Sequence, residues 1–271
     1  MIYDNDQAVG YIRECVKKFK NNIIDSELPV REDIFSIIER ECILLYYPLD
    51  DDNIKGCHTR KVLNGKLKHF VFINTIKNVQ EQTWTAAHEL GHVYGVDRIV
   101  NEKLGDKAIN AEDIVNRFAS EYLFPDNCFI EQQRKVFSDL GIKTSALSKE
   151  QFMYVITYMM DYFCGPYKAI IRRFVELGAI YKDNERKYIE SFEKNKKYYS
   201  RLLKENYFTR LGKQHKACNI EHISSDIKEL EELGVLSEDK IKKYRELFKL
   251  KEERKTKETF EIGGPNGRGE T

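Results

Sequence analysis

Residues 83–95 read TWTAAHELGHVYG, and the two histidines constrain what this part of the chain can fold into. His88 and His92 can address one centre only if the backbone between them is helical. Each residue then advances about 100°, which leaves the imidazoles roughly 40° apart and one turn along. Glu89 falls to the side of that pair, poorly placed as a third ligand and well placed to bond a water held there. Leu90 points the other way, toward a core. Gly91, Ala86 and Ala87 keep the flank thin enough for another helix or a substrate backbone to approach, and Gly95 offers a stop.

A core helix that merely carries two histidines is the plain alternative, and by ordinary residue usage HExxH arises by chance in about one chain per hundred of this length. What separates the two readings is a second helical segment, NAEDIVNRFASEYLFP at 110–125, with Asn110 as N-cap and Glu112 in the first turn. Two histidines and a glutamate make the open catalytic zinc set, with a fourth place for water or substrate. The same donors accept manganese or another divalent ion according to supply. Asn116, one turn after Glu112, is either a partner that orients a ligand or a residue bonded to neighbouring backbone. An ion held by His88, His92 and Glu112 brings the ionisation of water from about 15.7 toward 7, and Glu89 is the expected general base and proton carrier to the leaving amine. An oxyanion stabiliser is also expected. His69, Tyr94 and Tyr122 are candidates by type, each with a structural reading beside it.

Upstream, Ile12, Cys15, Val16 and Phe19 fall at helical spacing, as do Ile34, Ile37, Ile38 and Cys42 after Leu28-Pro29, which suits a first helical turn. Ile43 to Tyr47 reads as a strand. HTRKVLNGKLKHFVFIN at 58–74 reads as two strands joined by Asn64-Gly65, a dipeptide that accepts the positive φ of a two-residue turn. The sheet edge at HFVFIN could take an extended peptide by strand addition, or that segment is an ordinary buried strand. From residue 79 the pattern is helical: 79–94, 110–124, 148–163 with a Ser148/Gln151 capping box, and a helix from Tyr167 that Gly178 ends. The aromatics and methionines of FMYVITYMMDYF read as core. Beyond 182, Lys-, Glu-, Asn- and Tyr-rich segments read as long solvated helices with one narrow apolar face, and 251–271 as a disordered tail.

Lys+Arg 45 against Asp+Glu 44 argues against a dedicated nucleic-acid binder. Arg172 and Arg173 on the second helix of a helix-turn-helix-like pair give thin support for DNA reading, and packing or substrate docking is the better account. The start of the chain does not read as a signal peptide, no stretch reaches transmembrane length, and six cysteines without regular spacing fit reduced, mostly buried thiols. A cytoplasmic protein is expected. His215, Cys218 and His222 lack a clear fourth ligand and read as surface residues. Cys57, beside His58, reads as a small core residue rather than an inhibitory thiol ligand.

INTIKNVQEQTWTAAHELGHVYG followed by AEDIVNRFASEYLFP resembles the ImmA/IrrE metallopeptidases, in which a HELGH helix precedes one reading E-x-x-A-N-x-F-A-x-x-L-hydrophobic-P. His88, Glu89 and His92 match the first motif. Glu112, Asn116, Phe118, Ala119, Leu123 and Pro125 match the second. Val115 replaces alanine, and Trp84-Thr85-Ala86 replaces the commoner Phe-Thr-Ile/Leu, without loss of a ligand. LPVREDIFSIIERECILLYYPL and VITYMMDYFCGPYKAIIRRFVELGAI are similar to the family's N-terminal helix-strand element and C-terminal helix pair. The expected fold class is α+β: a mostly helical zincin-like domain with a small three-stranded sheet, plus a helical C-terminal extension. The expected divisions are 1–182, 183–250 and the tail 251–271. The resemblance implies a zinc-type metallopeptidase acting on a protein substrate, a helix-turn-helix repressor of a phage, mobile-element or stress-response circuit. Membrane and direct nucleic-acid binding are not expected, and oligomeric state is left open. The competing reading is a metallated, non-hydrolytic regulatory module that binds a transcription factor or DNA.

Overall fold

The computed structural model describes residues 5–20, 25, 27–51, 53–142, 147–205, 208–211, 217–220, 222–234, 236–248 and 250. Helices α1 (Asp6–Lys20) and α2 (Asp33–Glu41) lead into β1 (Ile43–Tyr47), and a hairpin of β2 (Gly56–Leu63) and β3 (Lys66–Asn74) follows. The turn is the expected one: Asn64 and Gly65 both have positive φ, 51° and 73°, and Leu63 pairs with Lys66. The sheet order is β1-β3-β2. Strand β3 pairs parallel with β1, Ile43 opposite Phe70, and antiparallel with β2. The fold is therefore α+β with a small mixed sheet.

That order relocates the open edge of the sheet. HFVFIN lies in β3, which is central and paired on both sides, so it has no edge to offer. On the outer side of β1, Asn219 donates from its backbone N–H to Tyr46 O at 3.1 Å and from its side chain to Leu44 O at 2.8 Å, while its Oδ1 accepts from Tyr46 N at 2.6 Å. Among the described residues, no strand pairs with the outer side of β2, the edge left for an added strand.

Helix α3 (Val79–Val93) follows β3 directly, with Asn78 as N-cap accepting from Glu81 N at 2.9 Å. Buried Asn74 ties the preceding loop down: its amide donates to Leu49 O and Ile54 O, both at 2.7 Å, and its Oδ1 accepts from Leu49 N. Helices α4 (Val96–Leu104), α5 (Ala111–Leu123), α6 (Asp126–Asp139), α7 (Lys149–Phe163) and α8 (Tyr167–Glu176) complete the main layer. The capping box at Ser148 and Gln151 forms, and Gly178 has the left-handed φ of a helix stop, 74°. Phe152, Met153, Ile156, Met159, Met160 and Phe163 enter the core.

Several expectations need correction. Helix α2 begins at Asp33, not at Leu28-Pro29, because Arg31 turns to φ 52° and donates to Tyr162 O at 2.7 Å, its guanidinium over that ring. The chain after 182 forms ten-residue helices rather than long ones: α9 (Glu185–Lys194), α10 (Lys196–Glu205), α11 (Ile223–Glu232) and α12 (Glu238–Leu247). Asn195 interrupts the first pair, with its side chain bonded back to Ser191 O. Phe192 and Leu202 are buried in the main core. All six cysteines are free, but three are buried, and Cys57 is exposed rather than a core residue. The chain divides into two compact units, 1–221 and 222–271. In the second, Arg245 pairs with Glu231 at 2.8 Å. The tail 251–271 and His215 lie outside the described residues; Cys218 and His222 are exposed. Among the described residues, no helix is long and apolar enough to cross a membrane.

Arg173, fully buried on α8, binds Glu121 Oε2 at 3.0 Å, Glu176 Oε2 at 2.8 Å, the carbonyl of Phe124 at 3.0 Å, and Asp126. Arg117 donates to Glu121 Oε1 from the other side. Burial by itself raises the Glu121 pKa; Arg173, Arg117 and Arg13 overcome it and hold that carboxyl down at about 2. The arginine thus joins α5, α6 and α8 and does not face a phosphate backbone, while Arg172 pairs with Glu185 at 3.2 Å. Replacing Arg173 with methionine strands two or three carboxylates in a low-dielectric core. A loss of about 3–5 kcal/mol is expected, measured by urea unfolding, and a change under about 1 kcal/mol would contradict the assignment.

Candidate metal centre

Helix α3 presents His88 and His92 on one face, and α5 approaches that face closely. The approach depends on Gly91: a Cβ there would stand 3.0 Å from the Phe118 ring and 3.3 Å from Val115. The bare flank read from the sequence is filled by α5. Asn110 caps α5, accepting from the backbone N–H of Glu112 at 2.8 Å, which fixes the first turn and aims Glu112 across the gap. Its Oε2 lies 3.3 Å from His88 Nε2 and its Oε1 3.4 Å from His92 Nε2.

These three residues offer ligand atoms that all lie within 4.8 Å of one another and could hold a metal ion. Ligands about 2.0–2.1 Å from a tetrahedral ion stand about 3.3–3.4 Å apart, and each imidazole has one oxygen of the Glu112 carboxylate at that spacing. The protonation pattern fits too. His88 Nδ1 lies 3.1 Å from Asn116 Oδ1; since an amide oxygen only accepts, Nδ1 carries the proton and Nε2 keeps its lone pair for the centre. Burial and the neighbouring His92 depress the His88 pKa, which favours the neutral ligand form. Of the two readings of Asn116, the ligand-orienting contact is the one present.

Glu89 is 7% exposed. Burial, with the Glu112 carboxylate adding to it, raises its pKa to about 7. Gly56 of β2 makes room for this packing: a Cβ there would stand 2.5 Å from Thr85 Cγ2, 2.7 Å from Phe72 O and 3.7 Å from Glu89 Oε1.

The other polar candidates separate. Tyr122 is buried, and its hydroxyl has no hydrogen-bond partner among the described residues. Tyr94 stacks on Phe19 of α1 with ring centroids 4.0 Å apart, roughly opposite His92 on the helical wheel. His69 instead lies on the metal side through His58. His58 Nε2 and His69 Nδ1 are 2.9 Å apart, and the His58 ring lies parallel to His92 at 6.2 Å. Burial, with His69 and His92 nearby, lowers the His58 pKa. His58 is not among the residues expected at the site, yet the sequence carries a signal for it. A two-residue turn at Asn64-Gly65 pairs 60 with 69 and 58 with 71, so the histidines are diagonal neighbours on one face. Cys57, next in the strand, alternates to the opposite face.

The arrangement is that of an α+β protein in which two histidines and one carboxylate converge as a group that could hold a metal ion, with a buried carboxylate beside it. Residues 42–174 match the family described as Peptidase_M78, the IrrE N-terminal-like domain. That match, over a little under half of the chain, assigns the segment that bears these residues to the ImmA/IrrE family of metallopeptidases, which suggests a metallopeptidase-type function and implies a divalent metal. No curated protein and no solved structure matches the chain.

Two outcomes are expected. Asn116→Ala frees the His88 ring and weakens metal binding about 10- to 100-fold, read by competition with a chromogenic chelator. In metal-free protein, Glu89 has a folded pKa of about 7 against an ordinary 4.5. The stability it contributes is therefore full below that ordinary value and lost as pH rises through about 7. Glu89→Gln removes this loss, making the metal-free variant more stable than wild type at pH 8 by on the order of 3 kcal/mol; urea unfolding at pH 5 and pH 8 measures it.

Proposed function

We propose that this protein is a metal-dependent endopeptidase that hydrolyses a peptide bond in a specific cytoplasmic protein, a helix-turn-helix transcriptional repressor, with Glu89 as general base. The observation that carries this reading is the convergence of His88, His92 and Glu112 beside a nearly buried glutamate. His88, His92 and Glu112 would hold the ion, zinc by donor set, with manganese as the alternative. When bound, such an ion supplies Lewis acidity, which brings water ionisation toward neutral pH and polarises a carbonyl.

The chain's own groups do the rest. Glu89 accepts a proton from the attacking water at its carboxylate and delivers it to the leaving amide nitrogen; burial makes it a stronger base than an exposed glutamate. Asn116 keeps the proton on His88 Nδ1. The outer edge of β2 binds the substrate as an added strand, which sets the scissile carbonyl beside α3. The His58–His69 pair, bonded between Nε2 and Nδ1, presents an outward N–H from one ring and a lone pair from the other. One donor is thereby available for the oxyanion that forms on attack.

The test incubates the purified chain with candidate helix-turn-helix repressors, with and without chelator. Cleavage that chelation abolishes is expected. Glu89→Gln should retain the metal and lose cleavage by about 10²- to 10⁴-fold. Cleavage by that variant at the wild-type rate removes Glu89 from its role, and stoichiometric binding without a cut favours the non-hydrolytic module.

A further inference from the structure

The β2–β3 hairpin is longer than the sheet needs. Gly56 packs over Thr85 and Glu89, and His58 lies beside His92, so β2 runs in the direction of α3 and its later residues continue past the metal centre. On the face that carries the histidines, the next residues by alternation are Arg60 and Val62 on β2 and Leu67 on β3, with Val62 opposite Leu67. These two apolar side chains are left in solvent, 67% and 54% exposed. Val71, further back on the same face, is buried. A β-branched residue paired with leucine at an uncovered hairpin end serves no core.

The charge of the hairpin itself is one-sided. Residues 56–70, GCHTRKVLNGKLKHF, contain Arg60, Lys61, Lys66 and Lys68 and no acidic residue, in a chain whose overall charge is nearly balanced. All four basic residues are exposed. Arg60 shares the face of the apolar pair, and Lys61, Lys66 and Lys68 project from the other face of the same two-stranded tip; the positive field of the tip complements a polypeptide segment with apolar side chains between carboxylates.

We propose that the hairpin tip is a docking site for the protein substrate, seating an acidic segment whose leucine-like side chains pack on Val62 and Leu67 beside Arg60. The proposal rests on the endopeptidase reading for its choice of occupant. Val62 is four residues from His58, about 13 Å along an extended strand. The docked segment therefore lies about four residues from the bond presented to the metal, and specificity arises beyond the residues flanking that bond. The exposed edge of β2 is continuous with this tip, so one extended segment can use both.

The experiment uses the full chain carrying Glu89→Gln, so that nothing is cut, and a fluorescein-labelled octapeptide of alternating Glu and Leu, with an alternating Lys and Leu peptide as control. Anisotropy should show the acidic peptide bound at least about tenfold more tightly than the basic one, with a further loss as salt rises from about 50 to about 200 mM. Val62→Ser with Leu67→Ser should weaken binding about tenfold, and Lys66→Glu with Lys68→Glu should do so through charge alone, with metal content unchanged in both. Equal binding of the two peptides, or no effect of Val62→Ser with Leu67→Ser, overturns the proposal. So does a dimer in sedimentation, or pelleting with phosphatidylglycerol vesicles, that the apolar double variant abolishes; the tip would then belong to a second copy or to a lipid surface. Cleavage insensitive to chelator removes the endopeptidase reading and leaves the anisotropy result standing. Failed docking leaves chelator-sensitive cleavage untouched.

Discussion

The distance between α3 and α5 sets the spacing of His88, His92 and Glu112, and Gly91 sets that distance. With no Cβ at this position, Phe118 and Val115 lie against the α3 backbone, and a glutamate in the first turn of α5 reaches both imidazoles. A side chain at 91 would push the helices apart, and spacings of 3.3 and 3.4 Å would open beyond what one ion can bridge. Packing density here is a condition of the chemistry, because ligands on separate helices are only as well placed as the helices are.

The far end of α5 is anchored by a different force. Glu112 lies in its first turn, exposed and aimed at the histidines; Glu121, two and a half turns on, is gripped by Arg117 and Arg173. A buried guanidinium is costly to desolvate, and it is tolerated because carboxylates and a backbone carbonyl meet its donors. The result is directional. An apolar contact would let α5 slide or rotate by small amounts, whereas hydrogen bonds from Arg173 of α8 to Glu121 of α5, to the Phe124 carbonyl at its end and to Asp126 at the start of α6 fix its axis. The helix that carries Glu112 is thus held by charge at one end and by close packing at the other.

The sheet supplies the opposite wall. Its two edges are treated differently: Asn219 satisfies backbone groups on β1, while β2 keeps its outer edge. An unpaired edge is an aggregation hazard that proteins usually blunt, and the lysines and arginine of this hairpin do so by charge. The same residues leave the edge open to an acidic polypeptide, so protection against self-pairing and selection of a partner draw on one feature.

Local sequence determined a good deal. Capping at Asn78, Asn110 and Ser148, the Asn64-Gly65 turn and the 3.6-residue periodicity each rest on interactions within a few residues, and these elements stand where the sequence puts them. The His88/His92 pair is equally local, because one helical turn fixes its geometry. Other features depended on contacts that no short window contains. Arg31, pulled onto Tyr162, delayed the start of α2; Arg173 proved to be an internal counter-ion rather than a surface cation; β3 became the central strand because β1 pairs parallel to it across an intervening segment. That Glu112 meets the histidines at ion-bridging distance, and that His58 joins them from the hairpin, was decided by tertiary packing alone. Helix and turn propensities act along the chain, whereas the separation between two elements is set by side-chain volumes and buried charges drawn from distant parts of it.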